Sequence, residues 1–453
     1  MEKTTRAQAG KGGGGLLLQG GAMAGIGLAV GLACWPLNAI DRLQDSLIGR
    51  LPAFGGGWTG LTLAFALAPM VVVPLLLALQ AGALRRSAGS GLPQLLEALQ
   101  RPDQRDQQLA AGTTAGRLAL WGAASLALLP IGREGPAAQL GAALAHGLGR
   151  GRLPTELLAA AAGAGLAGAF NTPLMGVIFV AEELSRRFQP NLIWPSLLMA
   201  GVAAEVAGLA GQPLFALGIQ ATPWAEPLQA LWALPVGLAA GLLGALMARL
   251  LVLGTARILP LARAHPLATG LAVGAALTVM TLISGGSSCG DGETLLRQAL
   301  GPAGLQASSA DSQHWPGAAR WGALVLMRLL GPVLALAAGI PGGVIDPAFA
   351  VGGSFGGGLI HLLGGPSALG VLLGMAAGLA GATQLPVMSL AFAVRIAGAQ
   401  QLLPGLLLAS LLGAVVGRWL MPLPLYRALE ALAADQLGRG PADETFHRTR
   451  GQN

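Results

Sequence analysis

Residues 51–84, 157–181, 227–248, 347–394 and 396–417 contain no Asp, Glu, Lys or Arg. A helix crossing the hydrocarbon core of a bilayer needs about 20 mostly apolar residues. Each run is long enough for one span, and 347–394 is long enough for two. The whole chain is 53% hydrophobic and only 10% charged, where soluble domains carry about 25% charged residues. A water-soluble fold would have to bury nearly all of it. A lipid-facing surface is the simpler solution, so the chain reads as an all-α polytopic membrane protein.

The longest run is not smooth. Glycines, Pro366 and Pro386 interrupt it. Broken backbone is tolerated at membrane depth only where it is buried in protein or lines a cavity, which points to a transporter or channel. The net charge of +7 would suggest nucleic acid in a soluble protein, but here the basic residues flank apolar runs, as at Arg85, Arg86, Arg150, Arg152, Arg186 and Arg187. Lys3, Arg6 and Lys11 precede the first run, and Arg427, Arg439, Arg448 and Arg450 follow the last. By the positive-inside rule both termini are expected to be cytoplasmic, in a plasma (inner) membrane, with an even number of crossings. No aromatic interleaving suits base stacking, so no nucleic acid partner is expected. Cys34 and Cys289 form no CxxC pair, and the five histidines show no ligand spacing, so no metal or cofactor is expected. The first apolar run reads as a retained helix rather than a signal peptide.

The chain also repeats itself. GLAGAFNTPLM at 165–175 returns as GLAGATQLPVM at 378–388, and GREGP at 132–136 has a counterpart G-x-x-x-P in GVIDP at 343–347. The offsets are 213 and 211 positions, and each G-x-x-x-P proline is followed by glycine five and eleven residues on. Two ordered matches at nearly one offset indicate duplicated halves, which in transporters often have inverted topology with the site between them. The expected organisation is a tail over 1–14, a first membrane half over 15–190, a connecting segment over 191–228, a second half over 229–432 and a tail over 433–453.

At GREGP, Pro136 favours the first turn of a helix, and the glycines allow a sharp turn before it. A helix starting inside the membrane leaves its first N–H groups unpaired, and with the positive dipole end they form an anion site. GVIDP supplies a second such start, and GSGLP at 89–93 a third break with the Ser90 hydroxyl. N–H groups and a hydroxyl without metal ligands suit a weakly hydrated anion such as chloride. Glu134 lies at one of these breaks, and an intramembrane carboxylate is costly and usually functional. Ionised, it can occupy the anion site itself; protonated, it can leave. Pairing with Arg133 alone does not account for it, because adjacent side chains on a helix do not face each other. Glu182 and Glu183 end an apolar run before Arg186 and Arg187. They read either as a solvated helix end or as an inner proton relay. Tyr426, the only tyrosine, reads on its own as an interfacial residue.

Together these residues resemble the CLC chloride channel and transporter family, whose anion-site signatures GSGIP, GREGP and GxFxP stand here in order as GSGLP, GREGP and GVIDP. Its EE pair resembles Glu182–Glu183 in FVAEEL, and its late PLY resembles Pro424–Leu425–Tyr426. The resemblance spans about residues 20 to 432. It implies a homodimer in the lipid bilayer, built from two inverted halves of broken and tilted helices meeting at an anion site, each subunit with its own pathway. It implies chloride held by the hydroxyls of Ser90 and Tyr426 and the N–H groups of Val344 and Ile345. Glu134 would be the external gate and Glu183 the internal proton acceptor of a chloride/proton exchanger. Serine in GSGLP goes in the family with chloride over nitrate, and serine with tyrosine argues against its fluoride-selective branch.

Two positions depart from the pattern. Ile345 replaces the family's aromatic but keeps the backbone donor. Asp346 replaces a small residue and modifies the site by placing a carboxylate beside the anion. It either caps its own helix, turned toward solvent or an arginine, or titrates beside the anion. The cap needs no unusual protonation and is the expected arrangement.

The alternative on the same fold is a passive chloride channel. A different class, an intramembrane serine protease, is raised by the G-x-S-x-G pattern at Gly352–Gly356 with His361 following. That motif demands a strand–turn–helix context, which a glycine-rich helix lacks. A membrane scaffold without transport leaves Glu134 and the three breaks unexplained.

Overall fold

The structure is a computed structural model that describes residues 13–52, 57–211, 229–300, 317–398 and 400–436. A first series of helices runs α1 (Gly13–Ile48), α2 (Gly60–Ala81), α3 (Leu92–Gln100), α4 (Ala111–Leu126), α5 (Glu134–Leu148), α6 (Thr155–Phe170), α7 (Pro173–Phe179) and α8 (Pro190–Gly208). A second series repeats it with α9 (Gln229–Ala264), α10 (Pro266–Ser284), α11 (Glu293–Leu300), α12 (Ala318–Ala337), α13 (Ile345–Leu362), α14 (Ser367–Thr383), α15 (Pro386–Ala397) and α16 (Leu403–Leu420), and α17 (Leu425–Gln436) closes it. The order of lengths recurs: 36-residue helices open both series, and the third helix of each has nine and eight residues.

The boundaries expected from sequence shift in one place. Residues 190–208, expected in a connecting segment over 191–228, form α8, which packs on α1 and α6 as a full member of the first series. Pro190 starts that helix, and Pro195 lies inside it without ending it. Residues 212–228 lie outside the described residues, as do 1–12 and 437–453 of the two expected tails.

Seven of the described helices are long and apolar enough to cross a membrane. The long helices form the outside and present Leu67, Val71, Leu75, Leu238, Leu242, Leu407, Leu411 and Val415 outward. In water this would be untenable; against acyl chains it is the required surface. The shorter α5, α6, α13 and α14 are almost wholly buried. Without a hydrophobic drive between helices in lipid, close backbone packing through small residues holds them together. The repeat is visible in that packing. A side chain on Gly165 would collide with the Ala137 carbonyl, and one on Gly378 would press on the Ala348 carbonyl, the equivalent pair one repeat later. Asn171 and Gln384, equivalent in the two GLAGA motifs, both end their helices in the left-handed conformation, with φ of 48° and 62°. Pro173 and Pro386 then restart the chain as α7 and α15. The two series meet in an antiparallel bridge in which Gly132 and Gly343 exchange both backbone hydrogen bonds, at 3.0 and 2.9 Å. Equivalent loops running in opposite directions are what inverted halves produce at their axis.

Candidate functional site

Three broken loops converge where the halves meet. Gly89 and Gly91 turn the GSGLP loop with φ of +88° and +101°, a region that favours glycine. The Gly89 N–H donates to the Gly339 carbonyl at 3.1 Å, tying this loop to the one that leads into GVIDP. Gly135 has no room for a side chain because the Ser90 carbonyl lies against it. Loops 89–91, 132–135 and 339–344 therefore meet in backbone contacts, and α3, α5 and α13 all begin at this junction. Among the described residues no N-cap side chain serves α5 or α13, so their leading N–H groups and dipole ends suit a negative group.

Glu134 fills that place in the structure. It is fully buried, and its Oε1 accepts the backbone N–H of Ile345 from the opposite loop. Its carboxylate occupies the space that a side chain on Gly343 would need, and it also blocks a side chain on Gly132. The first glycine of each G-x-x-x-P motif is thus required by the volume of the carboxylate, since neither has a positive φ. Gly343→Ala is expected to expel the Glu134 side chain, at a cost of about 1–3 kcal/mol in stability, and to leave a site no longer closed by it. Chloride flux measured across pH should then be flatter than the parent's; an unchanged profile counts against this seat for Glu134.

The Arg133 charge acts on Glu134, but its ion pair is made elsewhere. Its guanidinium ion-pairs with Asp41 of α1 and lies 4.6 Å over the Phe170 ring. Ser90 Oγ and Tyr426 Oη are buried hydroxyl oxygens with no hydrogen-bond partner among the described residues. Buried polar groups are normally satisfied, so two open hydroxyls near open helix starts are suited to a small anion. Tyr426 lies in the electrostatic reach of Glu134, Asp346 and Glu183 together.

The two acidic neighbours after α7 part company. Residues 180–184 form a π-helical turn, a local widening that recurs at functional positions. Glu182 reaches across to the second half and accepts the N–H groups of Val387 and Met388, at 3.1 and 2.8 Å, at the start of α15. Glu183 is 1% exposed, and neither of its oxygens has a hydrogen-bond partner. The charges of Arg427, Arg186, Glu182 and Glu430 act on it.

Asp346 does not cap its helix. It is fully buried rather than turned to solvent, although the charge of Arg133 acts on it, and among the described residues neither of its oxygens accepts a hydrogen bond of ordinary geometry. Its Oδ2 and the Glu134 carboxylate both lie against Gly132. The G-x-S-x-G pattern lies inside α13, in unbroken helix, and the Ser354 carbonyl accepts the Trp321 indole N–H at 3.0 Å. The pattern therefore lacks the strand–turn–helix context that a nucleophile there demands.

Sequence reading missed Arg117. This buried guanidinium donates to the carbonyls of Arg86, Ser87 and Ala88 and to Gln139 Oε1. It holds the strand of chain that leads to Ser90 and adds positive charge beneath the site. A lone arginine in an apolar helix was the available signal. Also unforeseen are Asp41, Asp291 and Glu293, buried acids from distant positions whose oxygens lie within 4.8 Å of one another beside Arg133.

A family model described as voltage gated chloride channel matches residues 70–418. The voltage-gated ClC-type chloride channel ClcB of Salmonella typhimurium is 30% identical over 311 residues, covering 66% of this chain and 71% of that protein. A protein of the same name from Escherichia coli is 28% identical over 317 residues, with the same coverage. Among solved structures, a slow cyanobacterial Cl-/H+ antiporter superposes with a TM-score of 0.72 at 22% identity, over 92% of this chain and 98% of that one. A CLC-type fluoride/proton antiporter gives 0.69 at 23% identity, with the same coverage. At those identities the likeness speaks for the fold.

Proposed function

The chain belongs to the voltage-gated chloride channel family, and on that premise we propose that it exchanges chloride for protons across a membrane, with Glu134 as the gate. The observation that carries this reading is the Glu134 carboxylate seated on the Ile345 N–H, where an anion would otherwise sit. Protonation removes its charge, weakens its hold on that donor and frees the N–H groups of Val344 and Ile345 for chloride. Ser90 and Tyr426 then offer hydroxyls to a central chloride. Glu183, buried and unpartnered, takes the proton on the cytoplasmic side, while Glu182 is occupied as a cap. A second protonatable group within electrostatic reach of Tyr426 favours exchange over the passive channel, which needs none. The protein works as a homodimer in the plasma (inner) membrane with both termini cytoplasmic, each subunit transporting on its own. Its cargo is chloride and protons, with no cofactor.

A hydrogen bond to a charged group contributes about 1.5–3 kcal/mol, and every 1.4 kcal/mol is about tenfold in affinity. Ser90→Ala and Tyr426→Phe are therefore each expected to weaken chloride binding about 10- to 100-fold by titration calorimetry, and to slow chloride efflux from proteoliposomes. Parent affinity in both variants would mean the hydroxyls face no anion. Absence of chloride efflux from vesicles holding the parent protein would overturn the transport reading itself.

A further inference from the structure

Asp346 and Glu134 reach one point from opposite loops. A methyl group built on Gly132 would strike the Glu134 carboxylate and come within 3.0 Å of Asp346 Oδ2. Both side chains are 0% exposed. Glu134 takes the Ile345 N–H of the second loop, and Asp346 faces the Arg133 N–H of the first. Neither Asp346 oxygen, nor Glu134 Oε2, has a well-formed hydrogen bond. The charged and titratable groups facing Asp346 are Glu134 and Arg133 at the start of α5, Asp291 ahead of α11, and the Tyr426 hydroxyl at the start of α17. Arg133, the cation among them, is ion-paired with Asp41. Two neighbouring carboxyl groups away from water do not both ionise; they hold a proton between them and titrate as a unit.

We propose that Asp346 is a second proton-binding residue of the exchange site, sharing a proton with Glu134 across Gly132. The proposal rests on the reading of Glu134 as the gate and extends it. With the shared proton on an Asp346 oxygen, Glu134 is ionised and keeps the Ile345 N–H. When the proton passes to Glu134, the negative charge moves to Asp346 and Glu134 can release that donor, but a chloride arriving there still meets the Asp346 charge. A second proton from solution neutralises the pair, and chloride then binds without repulsion from either acid. Chloride occupancy therefore depends on two protonation steps. The family's small residue at this position would leave one.

The test is chloride affinity by calorimetry from acid to alkaline pH in the parent, Asp346→Asn, Glu134→Gln and the double variant. The parent should lose affinity in two steps as pH rises, and each single variant in one. The double variant should be flat. Asp346→Asn should bind chloride at least about tenfold tighter than the parent at alkaline pH and converge with it at acid pH. Asp346→Ser provides a second neutral side chain should the asparagine variant aggregate. Infrared difference spectra at neutral pH should show a protonated carboxyl stretch that shifts in either single variant, a signal independent of transport. If Asp346→Asn and Asp346→Ser overlay the parent while Glu134→Gln is already flat, Asp346 does not titrate, and the gate reading stands without it. If Glu134→Gln keeps the parent's full two-step profile, the gate reading fails, and the shared proton with it.

Discussion

Proteoliposomes carrying Glu134→Gln are expected to move chloride while moving protons no faster than empty vesicles. The amide keeps the size of the side chain and can still meet the Ile345 N–H that Glu134 accepts in the structure. It cannot titrate. Chloride and an ionised Glu134 compete for the same donors, and two unit negative charges about 4 Å apart repel by about 4 kcal/mol at an effective dielectric of 20. At 1.4 kcal/mol per tenfold, removing that charge should raise chloride occupancy at the helix starts by up to about 10³-fold where Glu134 would be ionised. Proton flux should fall to the leak, and chloride flux should lose most of its pH dependence, the remainder belonging to Asp346. Retained uphill proton movement in this variant would show that the coupling proton travels elsewhere.

The second large effect is expected at Glu183. Glu183→Gln should abolish proton movement yet leave chloride flux, because the residue lies apart from the three helix starts and makes no hydrogen bond that the fold depends on. Its neighbour provides the control. Glu182 holds two N–H groups at the start of α15, so Glu182→Gln should cost stability of about 0.5–2 kcal/mol, as lost caps do, and leave coupling in place. Thermal unfolding in detergent and proton uptake in vesicles read the two effects separately. The reverse pattern, coupling lost with Glu182 and kept with Glu183, would transfer the relay by one residue.

What was readable in the sequence was what depends on local chemistry. The three glycine–proline breaks, the carboxylate at one of them and the paired GLAGA motifs each follow from short-range rules about helix starts and stops, and each is found at a helix start or end. What was hidden depends on long-range placement. Glu182 and Glu183 are adjacent and alike, and only the π turn and the position of α15 separate the cap from the free acid. Asp346 comes to lie near Glu134 only because the bridge between Gly132 and Gly343 joins loops 211 positions apart. Residues 191–228 were expected as a connector, yet α8 carries Pro195 within one continuous helix. Arg117 gave no motif, because its partners are backbone carbonyls that any residue supplies.

Exchange is the central claim, and it has a direct measurement. Vesicles holding the parent protein are loaded with high chloride and diluted into low chloride at equal pH, with the membrane voltage clamped near zero by a potassium ionophore. A pH electrode or internal dye then follows protons. Chloride leaving the vesicles should drive protons inward against the gradient they build, and Glu134→Gln and Glu183→Gln vesicles should release chloride without this signal. Chloride release by the parent with no proton movement would contradict exchange and make the protein a passive channel.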